Sequence, residues 1–395
     1  MALEPFHVHI DDARLRLLDD RLRTTVWADE LADELDDDWR YGVSGPYLRE
    51  LVAYWLEEYD WRARERAMNR WPQVRGDIDG VRLHAVHERG SGPDPLPLIL
   101  THGWPWTFWD FAAMIEPLAH PERFGGDPAD AFDVVVPSLP GSVFSSPGRA
   151  GIGWQATAGL WVRLMGELGY ERFGAHGGDS GAFVTAQLAH EFSDHLVGAH
   201  LTFPALIGAD LSAITRDDFA PDEVDFFDLQ DVTPRNSTHF LTHIFEPQTL
   251  TWAMQDSPVG LAAWMLQRRR AWSDCGGDVE RRFSKDELIT SFALYWLTGS
   301  FGGSVRYYAD SFARPWTPAH DRTPTLQAPT GIAVFPHELV HVPRRLAEAE
   351  ANLVHWTRMD RGGHFAPAEE PELLVEDLRT FFRPLREDRR GVAQP

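Results

Sequence analysis

The chain has 395 residues, of which 43% are hydrophobic, and its formal net charge is −23 at pH 7. An acidic surface repels phosphate backbones and anionic lipids, so this composition argues against nucleic acid and membranes as partners. The single cysteine, Cys275, excludes an internal disulfide and a cysteine-based metal cluster. The sequence has neither a run of about eighteen apolar residues nor a signal-peptide pattern, so we expect a cytoplasmic protein.

The beginning of the chain is predicted to form a helical extension over residues 1–75. Asp11 and Asp12 stand where a helix N-cap is expected, directly before apolar residues spaced for one helix face. A second apolar stripe with helical spacing runs through residues 47–71. Such stripes are more typical of core packing than of a binding surface.

From about residue 76 the pattern changes to alternating strands and helices. Residues 81–87 alternate with period two, and residues 96–100 and 134–136 are short apolar runs typical of buried parallel strands. Helical patterns occur at residues 156–168 and 182–192. This alternation predicts an α/β fold with a mostly parallel sheet covered by helices on both faces.

A long helical segment rich in Trp and Phe interrupts this pattern before strands resume at residues 330–335 and 353–359. A last helix is predicted at residues 372–382, and the charged tail after Pro384 is expected to fray. The simplest interpretation is a helical cap inserted between two halves of one core. The predicted divisions are extension, first core half, cap and second core half, at residues 1–75, 76–203, 204–325 and 326–395.

The most informative motif is Gly-Gly-Asp-Ser-Gly at residues 177–181. Small residues two before and two after a reactive side chain are the signature of a nucleophile elbow, a tight strand-to-helix turn. The reactive position holds Asp179, and a carboxylate is already anionic at neutral pH, so it can attack saturated carbon without a base. Because water must then cleave the resulting alkyl ester, we expect an alkylating electrophile as substrate rather than an ester or amide.

A second motif, His-Gly-Trp-Pro at residues 102–105, directly follows a predicted strand. In this architecture the loop at that strand end and the residue after the nucleophile each supply a backbone N–H to an oxyanion hole. We therefore expect Trp104 and Ser180 to provide these groups. The side chains of His102 and Trp106 are expected to contact the substrate.

The expected general base is His364, in Arg-Gly-Gly-His-Phe after the last predicted strand. The chain order of nucleophile, acid and histidine supports this choice, and the near-neutral pKa of histidine suits it. Glu338, just past the strand at residues 330–335, is expected to hold His364 in the required tautomer. Asp360 is a rival for that role but lies close to His364 in sequence.

Together these motifs resemble those of the microsomal-type epoxide hydrolases, which have the α/β-hydrolase fold. The resemblance extends over nearly the whole chain and includes further segments at residues 69–72, 256–263, 306–308 and 335–338. It implies a mostly parallel sheet, an inserted helical cap and an N-terminal extension. The extension is expected to wrap the core and to help form a homodimer. No N-terminal membrane anchor is expected, which is similar to the soluble bacterial members.

The resemblance also implies a two-step reaction on a small-molecule epoxide, with no metal or organic cofactor. Asp179 opens the oxirane to a hydroxyalkyl ester, and water activated by His364 and Glu338 then releases a vicinal diol. Tyr308 falls at the position of one of two cap tyrosines that donate to the epoxide oxygen. Its neighbour Tyr307 is expected to pack elsewhere.

Two positions depart from the family pattern. His239 stands where the second tyrosine is expected, and either donates a hydrogen bond, as a neutral or protonated ring, or forms a pocket wall while Tyr308 acts alone. Ser180 stands where many relatives have Trp, which makes the pocket wall smaller and more polar. Both departures suggest an unusual substrate, such as a bulky natural-product epoxide.

Three alternative functions remain open on the sequence. A haloalkane dehalogenase shares the fold, the Asp nucleophile and the His; Trp104 fits one of its halide-binding positions, whereas Ser180 does not. An epoxide-opening cyclase would capture the ring with an internal group instead of water. A catalytically silent ligand-binding protein would be expected to lose part of the Asp, Glu and His set, all of which is present.

Overall fold

The computed structural model describes residues 3–29, 39–229 and 236–391, with side chains described through residue 386. These residues contain one nine-stranded sheet. Its strands are β1 (Glu4–Pro5), β2 (Gln73–Ile78), β3 (Val81–Glu88), β4 (Leu96–Thr101), β5 (Phe132–Pro137), β6 (Phe173–Gly177), β7 (Leu196–Leu201), β8 (Leu326–Val334) and β9 (Ala351–Arg358).

The strand order in the sheet is β1-β2-β3-β5-β4-β6-β7-β8-β9. Along this order the pairs β1-β2, β2-β3 and β3-β5 are antiparallel. The remaining pairs, β5-β4, β4-β6, β6-β7, β7-β8 and β8-β9, are parallel. The predicted mostly parallel sheet is therefore confirmed. Its buried parallel strands, such as β4 and β5, are apolar because helices cover both faces.

Fifteen α-helices surround the sheet in the described ranges, connected in part by short 3-10 turns. The extension contains α1 (Asp12–Arg23), α2 (Gly45–Glu57) and α3 (Trp61–Met68). The first half of the core contains α4 (Ala112–Ala119), α5 (Trp154–Glu167) and α6 (Ser180–Glu191). The cap contains α7 (Val224–Leu229), α8 (Thr238–Phe245), α9 (Pro247–Asp256), α10 (Pro258–Trp272), α11 (Lys285–Thr298) and α12 (Phe301–Phe312). The second half of the core contains α13 (Arg344–Glu350), α14 (Ala366–Glu369) and α15 (Pro371–Gly391). None of the described helices combines the length and apolar character needed to cross a membrane.

The extension is not entirely helical, contrary to the prediction. It contributes β1 and the start of β2 to the edge of the sheet. The side chain of Asn69 fixes the segment after β1, because its Oδ1 accepts from the Val8 N–H and its Nδ2 donates to the Val8 carbonyl, both at 2.8 Å. The predicted helical run at residues 47–71 is divided into α2 and α3, and Asp60 caps the second of these by accepting from the Ala63 N–H.

The C-terminal helix is longer than predicted. The expectation that the chain frays directly after Pro384 is wrong, since α15 continues through Gly391; the rest of that tail, residues 392–395, lies outside the described residues. Arg386 explains this continuation, because its guanidinium donates to the carbonyl groups of Asp130 and Ala131 in the core. These bonds attach the charged end of the helix to the segment before β5.

The motif at residues 256–263 specifies where a helix of the cap begins. Ser257 is the N-cap of α10, where its hydroxyl accepts from the Gly260 N–H at 2.9 Å, and Pro258 occupies the first turn. Helix α10 packs against α9 and α11 within the cap. Its last residue, Trp272, is buried and lies beside the loop that follows β9.

Candidate active site

The turn between β6 and α6 holds Asp179 in a strained conformation, with φ 50° and ψ −128°. A Cβ added to Gly177 would lie 2.1 Å from the Gly181 carbonyl oxygen, and one added to Gly181 would lie 2.0 Å from the Thr101 carbonyl oxygen. Only glycine fits at these two positions. The predicted nucleophile elbow is therefore present in the structure, with a carboxylate at its apex.

The four predicted catalytic segments meet at one edge of the sheet. Asp179 follows β6, Trp104 follows β4, Glu338 follows β8 and His364 follows β9. The carboxyl ends of parallel strands all lie at the same edge, so residues distant in sequence come together there. The cap helices cover this edge.

The side chains of Asp179, His364 and Glu338 form a continuous line. The imidazole Nδ1 of His364 donates to Glu338 Oε1 at 2.6 Å, and its Nε2 lies 3.3 Å from Asp179 Oδ2. Glu338 is fixed in turn by the Leu339 N–H, which donates to the same oxygen at 2.6 Å. The rival acid, Asp360, is exposed, and the carboxylate on the His364 ring belongs to Glu338.

The charges of this line are strongly coupled. Burial by itself would lower the pKa of His364, but the carboxylates of Glu338 and Asp179 outweigh it and raise the pKa to about 10. Burial by itself would raise the pKa of Asp179, but His364 and the N–H groups of Trp104 and Ser180 lower it below its usual value. At neutral pH the resting site therefore holds an anionic Asp179 beside a cationic His364.

The expected backbone donors reach the nucleophile. The Trp104 N–H donates to Asp179 Oδ1 at 2.9 Å, and the Ser180 N–H also hydrogen-bonds this carboxylate. Close approach of the loop requires glycine before Trp104, because a Cβ on Gly103 would lie 2.1 Å from Asp179 Oδ1. Two N–H groups thus reach the Asp179 carboxylate, and that of Trp104 lies on Oδ1.

A cavity of about 310 Å³ opens onto Asp179. Its wall is mostly apolar and combines residues of the core, the cap and the segment after Glu338. The lining residues are Asp179, Ser180, Phe183, Phe203, Asn236, Ser237, His239, Phe240, Tyr308, Phe312, Leu339 and Val340.

Tyr308 lies in this wall as a buried phenol. Burial and the negative charge of Asp179 raise its pKa well above the ordinary value, so the hydroxyl is a neutral donor at physiological pH. A hydrogen bond with the Ser180 side chain acts in the opposite direction. The neighbouring Tyr307 points away, as expected, and donates to the hydroxyl of Thr157 at 2.9 Å.

His239 also lines the cavity, with its ring stacked on Trp104 at a centroid distance of 5.5 Å. Burial, together with the positive charge of Arg268, lowers its pKa to about 3. The ring is consequently neutral at physiological pH. This excludes the protonated form of His239 that the sequence left open as a strong donor.

The structure does not place His102 or Trp106 in the cavity wall. His102 is fully buried behind the loop, where its Nδ1 donates to the Gly103 carbonyl and its Nε2 accepts from the Leu139 N–H. The Trp106 ring packs edge-on against the His364 ring at a centroid distance of 5.4 Å. Both residues support the catalytic loops from inside, so neither is assigned a contact with substrate.

Several functional residues carried no sequence signal. The apolar wall comes from aromatic residues of four separate elements, which a sequence pattern cannot distinguish from ordinary core. Trp272 is similar: its ring packs edge-on against His364 at a centroid distance of 5.2 Å and lies tilted against His239 at 4.8 Å. Within the described residues, no group of His, Cys, Asp and Glu is arranged to hold a metal ion.

Comparison with known proteins identifies the chain. Residues 3–111 match the family model of the epoxide hydrolase N terminus, and residues 97–283 match that of the alpha/beta hydrolase fold. The chain is 32% identical over 409 aligned positions to epoxide hydrolase 1 of Oryctolagus cuniculus, covering 96% of this chain and 88% of that protein. Epoxide hydrolase 1 of Sus scrofa is 31% identical, with 96% and 88% covered.

Solved structures agree with this result. The Aspergillus niger epoxide hydrolase matches with a TM-score of 0.84 at 28% identity, covering 98% of this chain and 97% of that one. The juvenile hormone epoxide hydrolase of Bombyx mori matches with a TM-score of 0.85 at 25% identity, covering 98% and 96%. The fold and site therefore define an enzyme of the α/β-hydrolase class. Within that class the chain belongs to the epoxide hydrolase family, as its motifs predict.

Proposed function

We propose that this enzyme hydrolyses an epoxide through a covalent ester on Asp179. The observation that carries the proposal is the position of that carboxylate. It lies at the base of the cavity, with the Trp104 N–H on one oxygen and the His364 imidazole beside the other. A nucleophile needs an open approach on one side and a water-activating base on the other, and Asp179 has both.

In the first step an oxygen of Asp179 attacks a carbon of the oxirane. The carbon–oxygen bond of the ring breaks, and its electron pair moves to the former ring oxygen. Tyr308 donates its hydroxyl proton to that oxygen, which would otherwise leave as an unstable alkoxide. The products are a hydroxyalkyl ester of Asp179 and a Tyr308 phenolate.

Ester formation also prepares the second step. Once Asp179 is esterified it has no negative charge, and one of the two causes that raise the pKa of His364 disappears. The proton of the imidazolium can then return to the Tyr308 phenolate through solvent in the cavity. This leaves a neutral His364, which is the form that a general base requires.

In the second step His364 takes a proton from water as the water oxygen attacks the ester carbonyl. The charge that grows on the carbonyl oxygen is stabilised by the N–H groups of Trp104 and Ser180. Glu338 stabilises the imidazolium. Collapse of the intermediate transfers that proton to the departing alcohol and releases the diol. The proton of the new Asp179 carboxyl then moves to His364, which restores the resting state.

The cavity wall supports an epoxide with a bulky, apolar substituent. Phenylalanine side chains from the core and the cap surround the space above Asp179, and the cavity volume of about 310 Å³ suits a substituent of aromatic size. Ser180 adds room and a hydroxyl beside Tyr308. The substrate class we propose is therefore an aryl or similarly bulky epoxide.

The test is to trap the ester. We expect His364→Gln, mixed with styrene oxide, to gain the mass of one epoxide on a peptide that contains Asp179, since ester formation does not need the base. Asp179→Ala should show neither adduct nor turnover while keeping its circular dichroism spectrum. An unmodified H364Q protein, or diol production by D179A near the wild-type rate, would overturn the assignment.

A single turnover in ¹⁸O-labelled water provides an independent check. The oxygen added to the substrate comes from Asp179, so the first diol released should be unlabelled and the label should enter the Asp179 carboxylate. Direct attack by water would label the first diol. Capture of the ring by an internal group would leave all products unlabelled after many turnovers, and a dehalogenase would release halide from a chloroalkane instead.

A further inference from the structure

Arg268, on the cap helix α10, is a buried cation that lines a second cavity of about 520 Å³, together with its neighbours Thr238 and Trp264. Only 4% of its surface is exposed. Its Nη2 donates to the Thr238 hydroxyl at 3.0 Å, and its guanidinium lies 4.3 Å from the centroid of the Trp264 ring. Its Nε has no hydrogen-bond partner among the described residues. These neighbours are uncharged.

The next residue along the helix is also a buried arginine, but it has a counterion. Arg269 is equally buried but forms a salt bridge of 2.6 Å with Asp110. Arg268 forms no salt bridge with any carboxylate of the described residues. An uncompensated buried charge is costly, so a guanidinium without a counterion calls for an explanation other than fold stability.

Arg268 lies behind the residues that face the substrate oxygen. Its Thr238 partner directly precedes His239 in α8. Through Trp264, whose indole N–H donates to His243 Nε2 at 3.2 Å, it is linked to a ring that packs edge-on against Tyr308 at 5.0 Å. The charge reaches these groups electrostatically: it lowers the pKa of His239 and of His243, after burial in both cases, and opposes the rise in the pKa of Tyr308.

We propose that Arg268 is a fixed positive charge that stabilises the negative charge formed on Tyr308 and the former ring oxygen when the epoxide opens. The inference rests on the proposed function, in which Tyr308 donates the proton. In the resting site the negative charge lies on Asp179, and ring opening moves it to Tyr308, where Arg268 opposes the rise in pKa. A fixed charge that interacts more strongly with the product of ring opening than with the resting site lowers the barrier more than it stabilises the ground state.

This role is confined to the first step. In ester hydrolysis the new negative charge lies on the Asp179 carbonyl oxygen, where Trp104 and Ser180 donate. Arg268 therefore assists ring opening alone, and it does so by acting on Tyr308. Together with burial, the larger cause, it lowers the pKa of His239, so the pocket presents one phenol and one uncharged imidazole to the substrate oxygen.

The experiment measures the two steps separately with styrene oxide at pH 7, by rapid quench for ester formation and by single-turnover decay of the ester. Arg268→Met should slow ester formation by about ten- to a hundredfold and leave ester decay unchanged. Arg268→Lys keeps a cation and should retain most of the wild-type rate. The rate of ester formation in R268K should then fall with rising pH as the buried lysine loses its proton. R268M should show no such fall.

Thr238→Val is the matched control, since it removes the hydrogen bond that Arg268 donates to the Thr238 hydroxyl and keeps the charge of Arg268. We expect ester formation in T238V to stay near the wild-type rate. Equal slowing of both steps in R268M, an R268K variant as slow as R268M at pH 7, or a T238V variant as slow as R268M would each overturn the inference. Absence of any ester in H364Q would instead refute the proposed function itself.

Discussion

The backbone N–H of His364 donates a 2.9 Å hydrogen bond to the carbonyl of Trp272, the last residue of cap helix α10. Two further bonds join the same segments: Gly362 N–H donates to Asp274 Oδ2 at 3.0 Å, and Asp274 N–H donates to Glu369 Oε2 at 2.7 Å. The cap is thus more than a cover for the cavity. It fixes the loop that presents His364, the proposed general base.

Removal of the Asp274 side chain should therefore impair one chemical step selectively. Asp274→Ala leaves the Gly362 N–H without its acceptor and loosens the His364 loop, so we expect ester hydrolysis to slow by about ten- to a hundredfold. Ester formation should change little, because Asp179 and Tyr308 are untouched. Rapid-quench kinetics should show accumulation of ester.

The exposed pair of Asp228 and Arg216, also in the cap segment, offers a control for this variant. Asp228→Ala should leave both rate constants unchanged. If D274A lowers only the fraction of active enzyme and keeps both rate constants, Asp274 has a purely structural role and the expectation fails.

The proposed role of Tyr308 as donor to the epoxide oxygen can be distinguished from the roles of its neighbours by three substitutions. Tyr308→Phe should slow ester formation by about a hundredfold or more, because it removes the proton donor. His239→Phe should slow it by less than about tenfold, since a neutral imidazole contributes at most one ordinary hydrogen bond. Tyr307→Phe loses only its bond to Thr157 and should keep the wild-type rate of ester formation. An H239F variant as impaired as Y308F would contradict this ranking.

The elbow glycines should tolerate no side chain. Gly181→Ala places a methyl group against the Thr101 carbonyl, 2.0 Å from its oxygen, so we expect a loss of about 2–3 kcal/mol in the free energy of unfolding and a nearly inactive enzyme. Gly166 in α5 is the matched control, because a Cβ there meets nothing within 4 Å. Gly166→Ala should raise the free energy of unfolding by about 0.5–1 kcal/mol and leave activity intact. Urea titrations of the two variants measure the difference.

The charge of His364 should make stability depend on pH. Despite burial, Glu338 and Asp179 raise its pKa from 6.5 to about 10 in the folded protein. The folded state therefore binds the proton more tightly, and the resulting stabilisation is complete below pH 6.5 and disappears as the pH rises through 10. We expect the difference in free energy of unfolding between wild type and H364Q to fall across this window. A difference that stays constant with pH would mean that the ring is neutral in the folded protein.

The arrangement of the candidate site was largely predictable from sequence because each proposed catalytic group lies in a short motif with a local constraint. The glycines around Asp179 specify a turn that only glycine allows, and the loops of Trp104, Glu338 and His364 each follow a strand of a parallel sheet. The order of strands along the chain then brings these loops to one edge. The same reasoning led us to expect substrate contacts for His102 and Trp106. That expectation failed because neighbouring residues in a loop can point to opposite sides of it.

Two fold predictions failed for a related reason. The extension was predicted to be helical and the tail after Pro384 to fray, yet β1 pairs with β2 and Arg386 binds the segment before β5. In both cases the partner is remote in sequence, and a local pattern holds no information about it.

The amino-acid sequence by itself determined the reaction class, since one carboxylate at an elbow, one histidine and one acid are set by residue identity and chain order. Only the tertiary structure decided the protonation of His239, the isolation of the Arg268 charge and the dependence of His364 on the cap. The physical reason is that burial and electrostatic fields are sums over everything that surrounds a group, and those surroundings are assembled from segments hundreds of residues apart.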